Sequence, residues 1–153
     1  RAEAPQAYAA RMAREKLAAI AARHPGAWVL AADTVVACGR RILPKAETEA
    51  QARDCLKLLG GRRHRVLGGI ALQAPDGRVA ERLAVTSVAM KRLTAAEIAA
   101  YLATGDWHGK AGGYAIQGRA ASFIPWINGS YSNVVGLSLS DVAGMLAGLG
   151  WRA

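Results

Sequence analysis

Asp33 is the residue of this chain most plainly placed for chemistry. It interrupts an apolar run, AWVLAADTVVACGRRILPK, over residues 27–45. Burying a carboxylate without a partner costs on the order of several kcal/mol. A carboxylate in such a strand either satisfies a buried arginine or backbone N–H groups, or stands where the strand opens on a cleft. In the second case it can hold a metal ion or activate a water. Lys45 follows after a short apolar stretch, RILP, and just before a predicted helix. A lysine there adds a point charge suited to phosphate oxygens. Lys16 lies on the polar side of the first predicted helix, where a lysine is ordinarily solvated.

A third region is the segment KAGGYAIQGRAASFIPWINGSYSNVVGL, residues 110–137. Its glycines permit close backbone approach, and its polar tips, Gln117, Ser130 and Asn133, could meet a ligand. Trp126 and Tyr131 suit a pocket wall. Without a ligand, the same segment reads as two strands and their turns. It contains neither GxxxxGK[ST] nor GxGxxG, which excludes a P-loop and a dinucleotide fingerprint. The three histidines, His24, His64 and His108, have no zinc-ligand spacing, and no GxSxG elbow is present.

The elements that must position these residues follow from periodicity and punctuation. Pro5–His24 reads as an amphipathic helix with Tyr8, Met12, Leu17 and Ile20 on its apolar face. Trp28–Cys38 is a buried strand between Gly26 and Gly39. Thr48 and Gln51 form a capping box opening a second helix that stops at Gly60-Gly61, and Thr94 with Glu97 opens another that stops at Gly105. Between them lie two strands joined at Asp76-Gly77. A last helix covers about Leu139–Leu149. The expected architecture is one α/β domain over 1–153, with a mixed, strongly twisted β-sheet flanked by helices.

Composition narrows the partners. The chain has 153 residues and a formal charge of +9, which favours anionic ligands. The basic residues are scattered, and the aromatics are not interleaved with them as a base-stacking platform requires, so nucleic acid is not expected. No apolar run is long enough to span a membrane, and the first sixteen residues lack the apolar segment of a signal peptide. Cys38 and Cys55 show no CxxC spacing and read as reduced thiols of a cytoplasmic protein.

Taken in order, AREK, AADTVV, ILPK, GRRHRVLGGIAL, KAGGYAIQG and INGSYSNVVGL resemble the Maf family of nucleoside triphosphate pyrophosphatases, over about residues 5–150. The resemblance implies a Maf-like fold and hydrolysis of the α–β bond of a nucleoside triphosphate with a divalent metal, Mg²⁺ or Mn²⁺. It implies Asp33 as proton acceptor and Lys16 and Lys45 as phosphate-handling residues. It also implies Thr34 and Gln117 as the pair that selects dTTP and UTP over 7-methyl-GTP. A homodimer is the family habit, and a cell-division (septum-formation) regulatory role that needs no catalysis is the alternative attached to the name. The family's N-terminal strand and Ser/Arg-rich loop have no matching residues here, and the chain does not begin with methionine, so residues upstream of Arg1 are expected. LPKA and GLSL depart slightly from the family's usual blocks at the same places.

Overall fold

The structure, a computed structural model, describes residues 3–152; Arg1, Ala2 and Ala153 of the expected domain lie outside the described residues. The chain runs α1 (Pro5–Ala21), β1 (Val29–Cys38), β2 (Arg41–Leu43), α2 (Glu49–Leu59), β3 (Arg63–Gln73), β4 (Val79–Ala89), α3 (Ala95–Thr104), a 3-10 turn (Arg119–Phe123), β5 (Trp126–Asn128), α4 (Tyr131–Val135) and α5 (Leu139–Gly148). The strands form one sheet in the order β2-β1-β3-β4-β5. The α/β class with flanking helices is as expected. The parallel component of the expected mixed sheet is not seen, because every pairing among the described strands is antiparallel. Tight turns join β1 to β2 and β3 to β4, and a turn that short can only reverse the chain. With β2 already reversed, the α2 crossover returns β3 antiparallel to β1.

Side chains alternate across the sheet, and residues directly opposite on neighbouring strands share a face. On one face, the odd-numbered residues of β1 pack against α1: Val29 and Ala31 meet Ala13 and Leu17, while Val35 and Ala37 meet Ala9. On the other, Val36, Val66 and Val88 join Leu56, Leu59, Tyr101, Tyr114 and Phe123, and α5 covers Ile70 and Leu72 with Val142 and Met145.

The buried stripe of α1 is Pro5, Ala9, Ala13 and Leu17; of the row its pattern suggested, Leu17 is buried, Tyr8 and Met12 are half-buried and Ile20 is exposed. Gly69 explains this. A Cβ at Gly69 would fall 2.2 Å from the Ala9 carbonyl oxygen, so a bare backbone lets the helix lie directly on β3. Only alanines fit an approach that close. Both capping boxes are present, and Gly105 ends α3 in the left-handed region. The segment after α3 holds a single three-residue strand and two short helical pieces, not two strands. Among the described residues, no helix is long and apolar enough to cross a membrane.

Candidate active site

The site lies along β1, ahead of its pairing with β2. β2 pairs with β1 only across Val36–Cys38, and among the described residues no strand pairs with the earlier part of β1 on that side. Alternation sends Asp33 to the α1 face and Thr34 to the opposite face, and both line the cleft. Two grooves form there, one on each face. The first, about 240 Å³, is lined by Thr34, Val36, Val66, Tyr114, Gln117 and Val134. The second, about 380 Å³, lies beside α1 against Tyr8, Met12, Val35, Ile42 and Pro44. Lys16, Asp33, Thr34, Lys45 and Ala111 line both and form the passage between them.

Asp33 is 7 % exposed and does not stand alone: Lys16 Nζ donates to its Oδ1 at 2.6 Å. The ammonium replaces the lost water of the carboxylate, which answers the cost of burial. Lys16 gets there because it follows Tyr8 and Met12 at helical spacing, on the row next to the alanine stripe that seats α1. Lys45 is fixed by a β-bridge to Ala111, supported by bonds from Ala46 N to Lys110 O (3.1 Å) and Gly112 N to Pro44 O (3.0 Å). It therefore sits on a stitched loop pair, not at the start of α2. Gly112 adopts a positive φ, and a Cβ there would fall 2.9 Å from Val36 Cγ1, so a bare backbone lets this loop lie against β1.

Thr34 Oγ1 donates to the Gly136 carbonyl at 3.2 Å, leaving its lone pairs to accept. Gln117 is exposed and lines the first groove. Thus all five expected site residues, Lys16, Asp33, Thr34, Lys45 and Gln117, border one cleft.

Other expected ligand contacts are not brought there. Asn133 is fully buried and donates from Nδ2 to Val66 O and to Thr86 Oγ1, each at 3.0 Å. Ser130 caps α4 by accepting from Asn133 N. Trp126 and Tyr131 border a separate apolar groove with Ile124 and Ile127. These four polar or aromatic groups build the wall of α4 and the edge of the sheet.

Sequence reasoning missed Lys110 and Tyr114, both on the cleft wall. The KAGGY block carries both, but a lysine beside glycines gives no local sign of where it points. Tyr114 is anchored from beneath, its hydroxyl 2.5 Å from His64 Nε2. Burial pushes His64 down from 6.5 to about 4, so its imidazole is neutral, and burial also raises the Tyr114 hydroxyl well above its usual range. The charged residues of the first groove are Lys16, Lys45 and Lys110 against Asp33, three cations to one anion, a net +2. Among the described residues no cluster of three His, Cys, Asp or Glu side chains could by itself cage a metal ion.

A cleft beside the sheet with one paired carboxylate and an excess of lysines defines an α/β protein suited to a phosphate-bearing ligand. The chain belongs to the Maf family: the profile described as Maf-like protein matches residues 1–149. It is 65% identical over 149 residues to a protein of Paramagnetospirillum magneticum named dTTP/UTP pyrophosphatase, covering 97% of this chain and 78% of that one. A Rhodospirillum rubrum protein of the same name is 63% identical, covering 98% of this chain and 71% of its own. One from Caulobacter vibrioides is 59% identical, with 98% and 78% covered.

Proposed function

We propose that this protein is a nucleoside triphosphate pyrophosphatase that converts dTTP and UTP to the monophosphate and pyrophosphate. The observation that carries the reading is the Lys16–Asp33 pair, set in one cleft with Lys45, Thr34 and Gln117. The names of relatives sharing more than half of their residues with this chain support the substrate.

The nucleoside occupies the groove of Thr34, Tyr114 and Gln117, and the phosphates cross the passage toward Lys16 and Lys45. A uracil or thymine edge offers an N3–H donor between two carbonyl acceptors. The Gln117 amide matches it with a donor and an acceptor, and the Thr34 hydroxyl, its proton engaged by Gly136, adds an acceptor. Asp33 orients a water and takes its proton as the water oxygen bonds to the α-phosphorus. The bond from that phosphorus to the bridging oxygen breaks, and its electron pair leaves with pyrophosphate. Lys16 and Lys45 hold the phosphate oxygens and offset the charge that gathers on the departing group.

A divalent ion, Mg²⁺ or Mn²⁺, when bound adds charge neutralisation on the phosphates. Asp33 fits it as the protein's one carboxylate contribution, since Oδ2 has no hydrogen-bond partner among the described residues, and such ions commonly take most other ligands from substrate and water. The family resemblance adds a cytoplasmic homodimer, which sedimentation equilibrium tests for the dimer.

The test is pyrophosphate release from a panel of nucleoside triphosphates with Mg²⁺ or Mn²⁺, comparing the native protein with Asp33→Asn. The native protein turns over dTTP and UTP in preference to CTP and the purine nucleotides. The variant loses about a thousandfold in kcat, in the range of general-base loss, at an unchanged melting temperature. Undiminished turnover by Asp33→Asn overturns the assignment.

A further inference from the structure

Lys110 is the one cation of the cleft with no role so far. Its main chain is pinned: its N–H donates to Trp107 O at 3.1 Å, and its carbonyl accepts from Ala46 N at 3.1 Å and Gly113 N at 2.9 Å. Its side chain is exposed toward the first groove. Among the described residues, neither Lys110 nor Lys45 has a carboxylate within ion-pair distance, and the only carboxylate in the cleft is held by Lys16.

The two unpaired lysines are not equivalent. The bridge sets Lys45 beside Ala111, and both border the two grooves. Lys110, one residue earlier, ends the turn from Trp107 and begins the turn to Gly113. It lines only the groove that holds Gln117. A triphosphate lying across the passage therefore meets its cations in order, Lys110 on the nucleoside side and Lys45 with Lys16 at the passage.

We infer that Lys110 binds the phosphate attached to the nucleoside, the one retained in the monophosphate product, whereas Lys45 binds the departing pyrophosphate. This rests on the proposed reading of the site. It assigns Lys110 as a catalytic residue by contact with the group under attack. It also divides product affinity between two lysines, one for each product.

The experiment measures competitive inhibition of dTTP hydrolysis by dTMP and by pyrophosphate for the native protein, Lys110→Gln, Lys110→Arg and Lys45→Gln, with melting temperatures as the folding control. Losing a charge-assisted contact weakens binding by about tenfold or more. Lys110→Gln should weaken dTMP by that factor and leave pyrophosphate within about twofold, with most of the dTMP affinity restored in Lys110→Arg. Lys45→Gln should do the reverse. Native dTMP affinity in Lys110→Gln, or a larger loss for pyrophosphate than for dTMP, overturns the assignment while leaving the pyrophosphatase reading intact. A native protein that does not hydrolyse dTTP or UTP removes that reading and the role of Lys110 with it.

Discussion

The two faces of the sheet hold their helices by different means. On the α1 face, the closest approach is between small groups, with the Ala9 carbonyl resting on bare Gly69, and Leu17, Val29, Val35 and Leu67 fill the space around it. α1 has no side-chain N-cap bond and begins on Pro5. On the opposite face, bulk fills the space, with Leu56, Leu59, Tyr101 and Phe123 in one core, and α2 and α3 each start in a complete capping box. A helix seated through alanine and glycine has little room to shift, because close backbone contact leaves no flexible side chains to repack. That rigidity carries Lys16 to Asp33. A thicker, side-chain-filled layer tolerates adjustment, and it supports the wall that meets the nucleoside.

If this contrast is right, the most damaging change is Gly69→Ala. The new methyl would lie 2.2 Å from a helix carbonyl, which is backbone and cannot swing aside, so α1 must lift. We expect a loss of more than about 3 kcal/mol in urea unfolding, together with loss of dTTP turnover as Lys16 leaves Asp33. Gly68→Ala is the matched control on the other face. Its methyl would lie 2.2 Å from Asn133 Oδ1, a side-chain atom with no hydrogen-bond partner. A cost of about 2 kcal/mol, smaller than at Gly69, is expected from the same titration. Equal costs would erase the distinction between the faces.

His64 sharpens the comparison in another way, since it is a buried titratable group of the thick face. Its pKa is lower in the folded chain, about 4, than the 6.5 of an unburied imidazole. The unfolded state therefore binds the extra proton first as pH falls. The His64 contribution is fully present above pH 6.5 and is lost progressively down to about pH 4, by at most on the order of 3 kcal/mol. Between pH 7 and 4.5, roughly 2 kcal/mol of that is expected to be lost. His64→Phe removes that slope. Unfolding midpoints at pH 7, 5.5 and 4.5 should fall more steeply for the native protein than for the variant, and parallel curves would reject the assignment. The smallest effect belongs to the caps. Thr48→Ala and Thr94→Ala should each cost about 1 kcal/mol without altering dTTP kinetics.

How much of this was legible in the residue order differs by element. α2 and α3 were readable at both ends because capping is local: Thr48 with Gln51, Thr94 with Glu97, and Gly105 in the left-handed region act within one turn. The Asp76-Gly77 turn was readable for the same reason. The packing face of α1 was readable only at Leu17, since alanine contributes little to a hydrophobic pattern and the deciding residue, Gly69, lies more than fifty positions away. Asp33 announced itself as a carboxylate in an apolar strand. Asn133 did not reveal that it was structural, because its partners Val66 and Thr86 lie on other strands.

By itself, the sequence determined α1, α2, α3 and α5, the β3–β4 hairpin, the unusual place of Asp33, the basic balance and, through the order of its motifs, the family. Those features rest on neighbours within a few residues or on residue type alone. Only the tertiary structure decided that Lys16 pairs with Asp33, that Lys45 is braced by Ala111, that Lys110 faces one groove and Lys45 two, and that the sheet is antiparallel throughout its described strands. Each of these depends on where a strand stops pairing and how closely a helix can lie on it, quantities set by contacts between residues far apart in the chain.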